Sequence, residues 1–331
     1  MGELTRWKSA IALIAITVFL GSCARTLHEP PQQSSAAVIA ELWQAPTDMA
    51  NRDLFYGSGG PELVPPQGTY AFVSKKTTGK NPGYDVRDSL GRLWAVKLGE
   101  EAQTEVVVSR VLWAVGFPQP ANYFVERWTM AGGDASDQPA GRFRAELASD
   151  QVVGEWSWYD NPFIGSRPFG GLLAINLLLN NWDLKTTNNK IYLRINSRGD
   201  RERVYVVRDV GGSLGRAHQP WFLRWIPFMR DRQGTKNDVD AFEAQPFIVG
   251  ADKDGIEFSY RGLDQALAKA LMPADLHWAA ELLSRLSERQ WQDAFRAGGY
   301  SAEHAGRYIN KIREKIGQAA TVGLQSSPAR P

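Results

Sequence analysis

The sequence predicts an α+β protein in which a strand-rich first third, carrying one helix, precedes a mainly helical remainder. Residues 68–99 are broken at Gly79, at Pro82–Gly83 and at Ser89–Gly91, which leaves three strand candidates joined by two hairpins. In residues 101–117, Val108, Val111, Leu112 and Val115 recur at helical spacing and Gly116 ends the run. From residue 167 onward most blocks follow a helical rather than a two-residue period. A chain of 331 residues, 43% of them apolar, can bury the core of one large domain or two.

Taken in order, "ANYFVERWTM" (121–130) and "GRFRAEL" (141–147) read as two further strands around a polar loop at 131–140. The first lobe is thus predicted to hold five strands, with one helix between the third and fourth. "RPFGGLLAINLLLNN" (167–181) has Pro168 at its start and an apolar body, so it should be a buried helix. "KIYLRI" (190–195) alternates, 196–203 turns, and "VYVVRDV" (204–210) forms the second arm of a hairpin. Three helices follow, over 272–286, 287–299 and 301–320. Ser287 with Gln290 makes a capping box for the middle one, and Gly298–Gly299 close it.

The ends carry different signals. Arg6 and Lys8 precede "AIALIAITVFLG" (10–21), an apolar run too short to span a membrane comfortably, and "LGSC" (20–23) follows. This resembles the signal and lipobox of bacterial lipoproteins. The resemblance implies a signal peptide over 1–22, cleavage before Cys23, and lipidation of Cys23. It further implies a protein anchored by lipid in the bacterial envelope, on the outer membrane or another extracytoplasmic face. Residues 23–45 begin Pro/Gln/Ser-rich and read as a tether, and 319–331 as a flexible tail. Cys23 is the one cysteine, which excludes an intrachain disulfide. Thirty-eight Lys plus Arg against 36 Asp plus Glu make no case for a nucleic-acid partner.

Chemistry concentrates in three places. "WAVK" ends the third predicted strand at Lys97. "NNWDLKTTNNK" (180–190) follows the buried helix and holds Asp183, Lys185 and Asn188. "RDVGGSLG" (208–215) places Asp209 before Gly211 and Gly212, at the end of the hairpin. In this order and context the chain resembles the protein-kinase superfamily over roughly residues 68–318. The resemblance implies a bilobal fold: an N-lobe (46–145) with an antiparallel sheet and one helix, and a mainly helical C-lobe (146–318). It implies ATP and Mg²⁺ as cofactors, Lys97 paired to Glu105 (or to the runner-up Glu101) at the phosphates, Asp183 as base, and Lys185 beside the moving phosphoryl group. Asn188 and Asp209 would hold the metal, and Gly79 and Gly83 would serve as the remnant of a glycine-rich loop.

The chain departs from ordinary protein kinases in several respects. Asn181 and Trp182 stand where the family has histidine and arginine, Val210 replaces the usual phenylalanine, and 26 residues separate Asp183 from Asp209. No segment ending in A-P-E is present. These departures resemble the atypical branch: HipA-type kinases, phosphatidylinositol kinases and secreted spore-coat kinases. The acceptor (protein, lipid or an envelope small molecule) is left open.

Two other classes compete. A kinase-fold lipoprotein could bind or scaffold without turnover. "GGSLG" (211–215) also fits G-x-S-x-G, with Ser213 as an esterase nucleophile and His277 or His304 as base. The sequence before it lacks the repeated βαβ units that an α/β-hydrolase needs. The four histidines show no H-E-x-x-H spacing and no P-loop motif occurs, which removes zinc-hydrolase and P-loop readings.

Overall fold

The computed structural model describes residues 35–77, 81–132, 137–196, 198–218, 234–252, 255–262 and 264–323. The signal peptide, Cys23 and Gly79 lie outside the described residues. The architecture is α+β, as expected, with most of the strands in the first half and most of the helices in the second.

The sheet strands are β1 (Thr69–Lys75), β2 (Gly83–Arg87), β3 (Leu93–Leu98), β4 (Asn122–Val125), β5 (Trp128–Ala131), β6 (Asp137–Gln138) and β7 (Gly141–Ala145). Their spatial order is β4-β7-β3-β2-β1-β5-β6. The predicted single strand over 121–130 is therefore two. Val125 ends one edge strand, and only Glu126 and Arg127 intervene before Trp128 begins a strand near the other end of the order. Two residues reach only a short distance, so the sheet must curl until its two sides meet. The expectation of a purely antiparallel sheet is corrected at this closure, where β1 and β5 pair in parallel, Tyr70 opposite Met130. The curl encloses Tyr70, Trp94, Tyr123, Trp128 and Phe143, which meet mostly edge to face, the favoured geometry for rings that bury their bulk.

Between β3 and β4 runs α2 (Glu101–Ala114), buried nearly all round. Val107, Val108, Val111 and Leu112 face the larger core, built mainly by the helical half. That half contains α3 (Arg167–Leu178), α4 (Val239–Ala244), α5 (Gln265–Lys269), α6 (Pro273–Ser284), α7 (Glu288–Ala297) and α8 (Ala302–Thr321). Helix α3 starts where predicted, with Pro168 in its first turn and the Ser166 hydroxyl accepting from the Phe169 N–H. The Ser287–Gln290 capping box forms on α7.

The hairpin of β9 (Asn189–Ile195) and β10 (Arg201–Val207) is present in full register and gains a third strand, β8 (Asp150–Glu155). A small hairpin, β11 (Ile248–Asp252) with β12 (Gly255–Phe258), is likewise additional to the sequence reading. Both ends differ from expectation as well. Residues Ala36–Leu42, inside the stretch read as tether, form helix α1, capped by Ser35 and fixed by burial of Leu42. At the other end, α8 continues to Thr321, three residues into the stretch read as tail, because Ala319 and Val322 still pack in the core.

Candidate functional site

Strand β3 carries Lys97 at its buried end, in register with Gly83 on β2 and Arg142 on β7. Its ammonium meets three carboxylates: Asp209 Oδ1 at 2.8 Å, Glu105 Oε2 at 2.9 Å and Glu101 Oε2 at 3.0 Å. Glu105 and Glu101 are one helical turn apart on α2, so one face of the helix presents both. Both sequence-predicted partners therefore engage the lysine. Glu105 is wholly buried, and its other oxygen lies 2.9 Å from Arg142 Nε. The Lys97 and Arg142 contacts to Glu105 are close ion pairs without the alignment of hydrogen bonds. Burial opposes the Lys97 charge, but Glu105, Asp209 and Glu101 together outweigh it and hold the ammonium well above the ordinary lysine range.

Asp209 follows the end of β10. Burial pushes its carboxyl up, yet Lys97 (by charge and by hydrogen bond), Arg142 and the Gly211 N–H bring it down to about 2. The hairpin does what its topology requires. Asn188 lies just before β9 and Asp209 just after β10, and the Asn188 carbonyl accepts from both the Arg208 N–H (2.9 Å) and the Asp209 N–H (3.2 Å). The Asn188 side-chain amide donates to the Asp183 carboxylate at 3.1 Å and to its backbone carbonyl at 2.7 Å. Lys185 Nζ lies 2.6 Å from Asp183 Oδ1. Asp183, Lys185, Asn188, Asp209, Lys97 and Gly83 all line one cleft of about 1320 Å³.

The loop is held from beneath. The Asn181 side chain donates to Asn176 Oδ1 and accepts from the Asp183 N–H. The Trp182 N–H donates to the Gly212 carbonyl. A Cβ on Gly212 would lie 2.9 Å from Asp183 Cβ, and one on Gly211 would lie 2.6 Å from Glu101 Cβ. The two glycines are there because the chain passes directly between Asp183 and Glu101. Among the described residues, three that are not glycine take left-handed φ, Asn180 (55°), Leu214 (54°) and Asn237 (50°), and all three flank the cleft segments. Backbone strain of this kind gathers at functional sites.

Arg142, Arg144 and Lys236 are site residues that the sequence reading missed. Arg142 and Arg144 alternate with Phe143 on β7, one face of the strand carrying the charges and the other the core ring. That i, i+2 pair of arginines within a strand was the available signal. Lys236 pairs with Glu101 Oε1, and no local pattern marks it. Ser213 is fully buried and donates to the Val210 carbonyl at 2.8 Å. His277 bonds the Val322 carbonyl, and among the described residues Ser213 has no histidine partner. The esterase constellation does not form.

No family model matches the chain, and no curated protein matches it. Among solved structures it is similar to the Helicobacter pylori proinflammatory kinase CtkA, at 12% identity and a TM-score of 0.46, covering 80% of this chain and 100% of that one. It is also similar to the Rio2 kinase–ADP/Mg²⁺–phosphoaspartate complex from Chaetomium thermophilum, at 15% identity and a TM-score of 0.30, covering 75% and 72%. The chain's own element order and the cleft between curled sheet and helices define a bilobal, kinase-like α+β fold.

Proposed function

We propose that the protein is an ATP- and Mg²⁺-dependent phosphotransferase of the atypical kinase type, acting on a hydroxyl-bearing acceptor. One observation carries the proposal: Lys97, Asp183, Asn188 and Asp209, spread over 112 residues, converge on one cleft as an interlocked set. A strand lysine without such a role would need one carboxylate, not three.

The donor set fits the cofactor. Asp209 and Asn188 offer two hard oxygen ligands brought side by side by the hairpin, and Mg²⁺ is held by few protein oxygens because it keeps water and phosphate for the rest. When bound, Mg²⁺ and nucleotide supply the phosphoryl group and neutralise its charge. The chain's own work is positional. Asp183 takes the acceptor's proton at its carboxylate, held by Asn188 and the Asn181-anchored loop. Lys185 balances charge at the same carboxylate, and Lys97 orients phosphate oxygens under the control of Glu105. The completeness of this set favours turnover over a purely binding role. We further propose that lipidated Cys23 places the protein on the envelope, so that the acceptor is an envelope protein, lipid or small molecule.

The test is transfer of labelled γ-phosphate to envelope fractions by the full chain. Wild type should label a component, and Asp183→Ala should label none while still binding nucleotide. Equal labelling by both would refute the assignment of the base.

A further inference from the structure

Lys97 has more anions around it than its charge requires. Glu105 is already balanced by Arg142, and Asp209 is the residue offered to the metal. Glu101 stands at the cleft lining and uses both oxygens: Oε2 meets Lys97 and Oε1 meets Lys236. One carboxylate thus bridges two ammonium groups that reach it from opposite sides, one from β3 and one from the segment leading into α4.

Lys236 is not a drifting surface lysine. The segment before it is tied down: the Thr235 N–H donates to the Arg216 carbonyl (2.9 Å), the Arg216 N–H donates to the Thr235 hydroxyl (2.9 Å), and the Thr235 carbonyl accepts from Trp182 Nε1 (2.8 Å). After it, the Asn237 N–H donates to the Ser213 carbonyl and its side chain to Gln103 on α2. The Lys236 side chain is 14% exposed and that of Glu101 13%. Both are at the wall of the same cleft as Asp183 and Asp209.

Resting on the phosphotransferase reading above, we infer that Glu101 is a resident anion that occupies the phosphate position between Lys97 and Lys236, and that Lys236 is a second phosphate-binding cation of the nucleotide site. A carboxylate bridging two amines presents the same chemistry to them as a pair of phosphate oxygens. Phosphate entering at Lys97 would meet a like charge if Glu101 stayed, so binding exchanges one anion for the other and leaves Lys236 with a phosphate partner. Glu101 sits in the first turn of α2, at the helix's positive end, where a released carboxylate keeps a favourable environment.

The exchange makes two substitutions act in opposite directions. Titration of the full chain, in detergent, with a fluorescent Mg·ATP at fixed ionic strength reads both. Glu101→Gln removes the competitor and should tighten the dissociation constant by about tenfold, the size of one charge-assisted contact. Lys236→Met should weaken it by about tenfold on the same scale. Lys236→Arg, which keeps the charge, should bind within a few-fold of wild type and guards against misfolding of the Met variant. A merely structural ion pair predicts that Glu101→Gln and Lys236→Met weaken binding alike, or change it not at all; either result overturns the inference. If Lys97→Ala loses binding while both other variants match wild type, the nucleotide site stands and this inference alone falls. If wild type binds no nucleotide, both fall.

Discussion

Lys97 and Lys315 are both withdrawn from solvent, and they differ in what surrounds them. Lys97 has three carboxylates within 3.0 Å and lines the cleft. Lys315, on α8, is wholly buried and among the described residues donates to neutral oxygens, the Leu178 carbonyl at 3.0 Å and Asn180 Oδ1 at 2.9 Å, with its nitrogen 4.0 Å from the centre of the Phe242 ring. The environments move the two amines in opposite directions. Anions hold Lys97 charged, whereas burial, and then Lys311, push Lys315 well below the ordinary lysine range. A lysine among exchangeable anions can take up phosphate, while one among fixed carbonyls can only hold structure. Lys315 ties down the C-terminal end of α3 and the Asn180 turn, from which the Asp183 loop departs.

The contrast breaks most sharply under substitution. Lys97→Ala should lower transfer by about a thousandfold, the upper range for deleting one preorganised electrostatic contact. It should shift the melting temperature less than Lys315→Ala does, because Glu105 keeps Arg142 and Glu101 keeps Lys236. Lys315→Ala should cost about 3 kcal/mol of stability, from a cavity and two orphaned oxygens, measured by denaturant unfolding. The comparison fails if Lys315→Ala unfolds no more easily than Lys97→Ala.

A pH series sharpens it. Because the folded-state pKa of Lys315 is depressed, its contribution is greatest above the unfolded value of 10.5 and shrinks as pH falls towards the folded value. Stability should therefore rise with pH in the alkaline range, and Lys315→Met should flatten that rise. Asp209 runs in acid: with its carboxyl held at about 2 against an ordinary 3.8, its contribution is complete above 3.8 and is lost as pH falls towards 2. Asp209→Asn should remove that acid-side loss. Identical pH profiles for wild type and either variant would count against the assigned environments.

Smaller still is Glu105→Gln. Lys97 retains Asp209, so nucleotide affinity should drop by about tenfold, not vanish. A complete loss would make Glu105 the sole positioning carboxylate. At the small end, Ser213 should take no label from a fluorophosphonate probe, since its hydroxyl is buried against the Val210 carbonyl.

What could be read from the sequence was whatever repeats locally. The apolar period of α3, the alternation of β9 and β10, the Ser287–Gln290 box and the Lys97, Asp183, Asn188 and Asp209 positions all depend on near neighbours. What was missed depends on tertiary contacts. Strand β8 reads polar, and Val152 and Val153 are both exposed; only pairing with β9 makes it a strand. Helix α1 is seven residues long, too short to be stable alone, and it is fixed by packing. The two-strand outcome at 121–130 follows from sheet closure, which no local pattern reports. Lys236 lies 135 residues from its partner Glu101, so only the fold brings them together.

In the proposed reaction Asp209 holds metal-bound nucleotide while Asp183 does the proton chemistry. This division is tested most directly by calorimetric titration of Mg·ATP into wild type, Asp209→Ala and Asp183→Ala, with labelled-phosphate transfer measured on the same samples. Wild type and Asp183→Ala should bind, Asp209→Ala should show no Mg-dependent binding, and wild type alone should transfer phosphate. Equal Mg·ATP affinity in Asp209→Ala, or full transfer by Asp183→Ala, would contradict it.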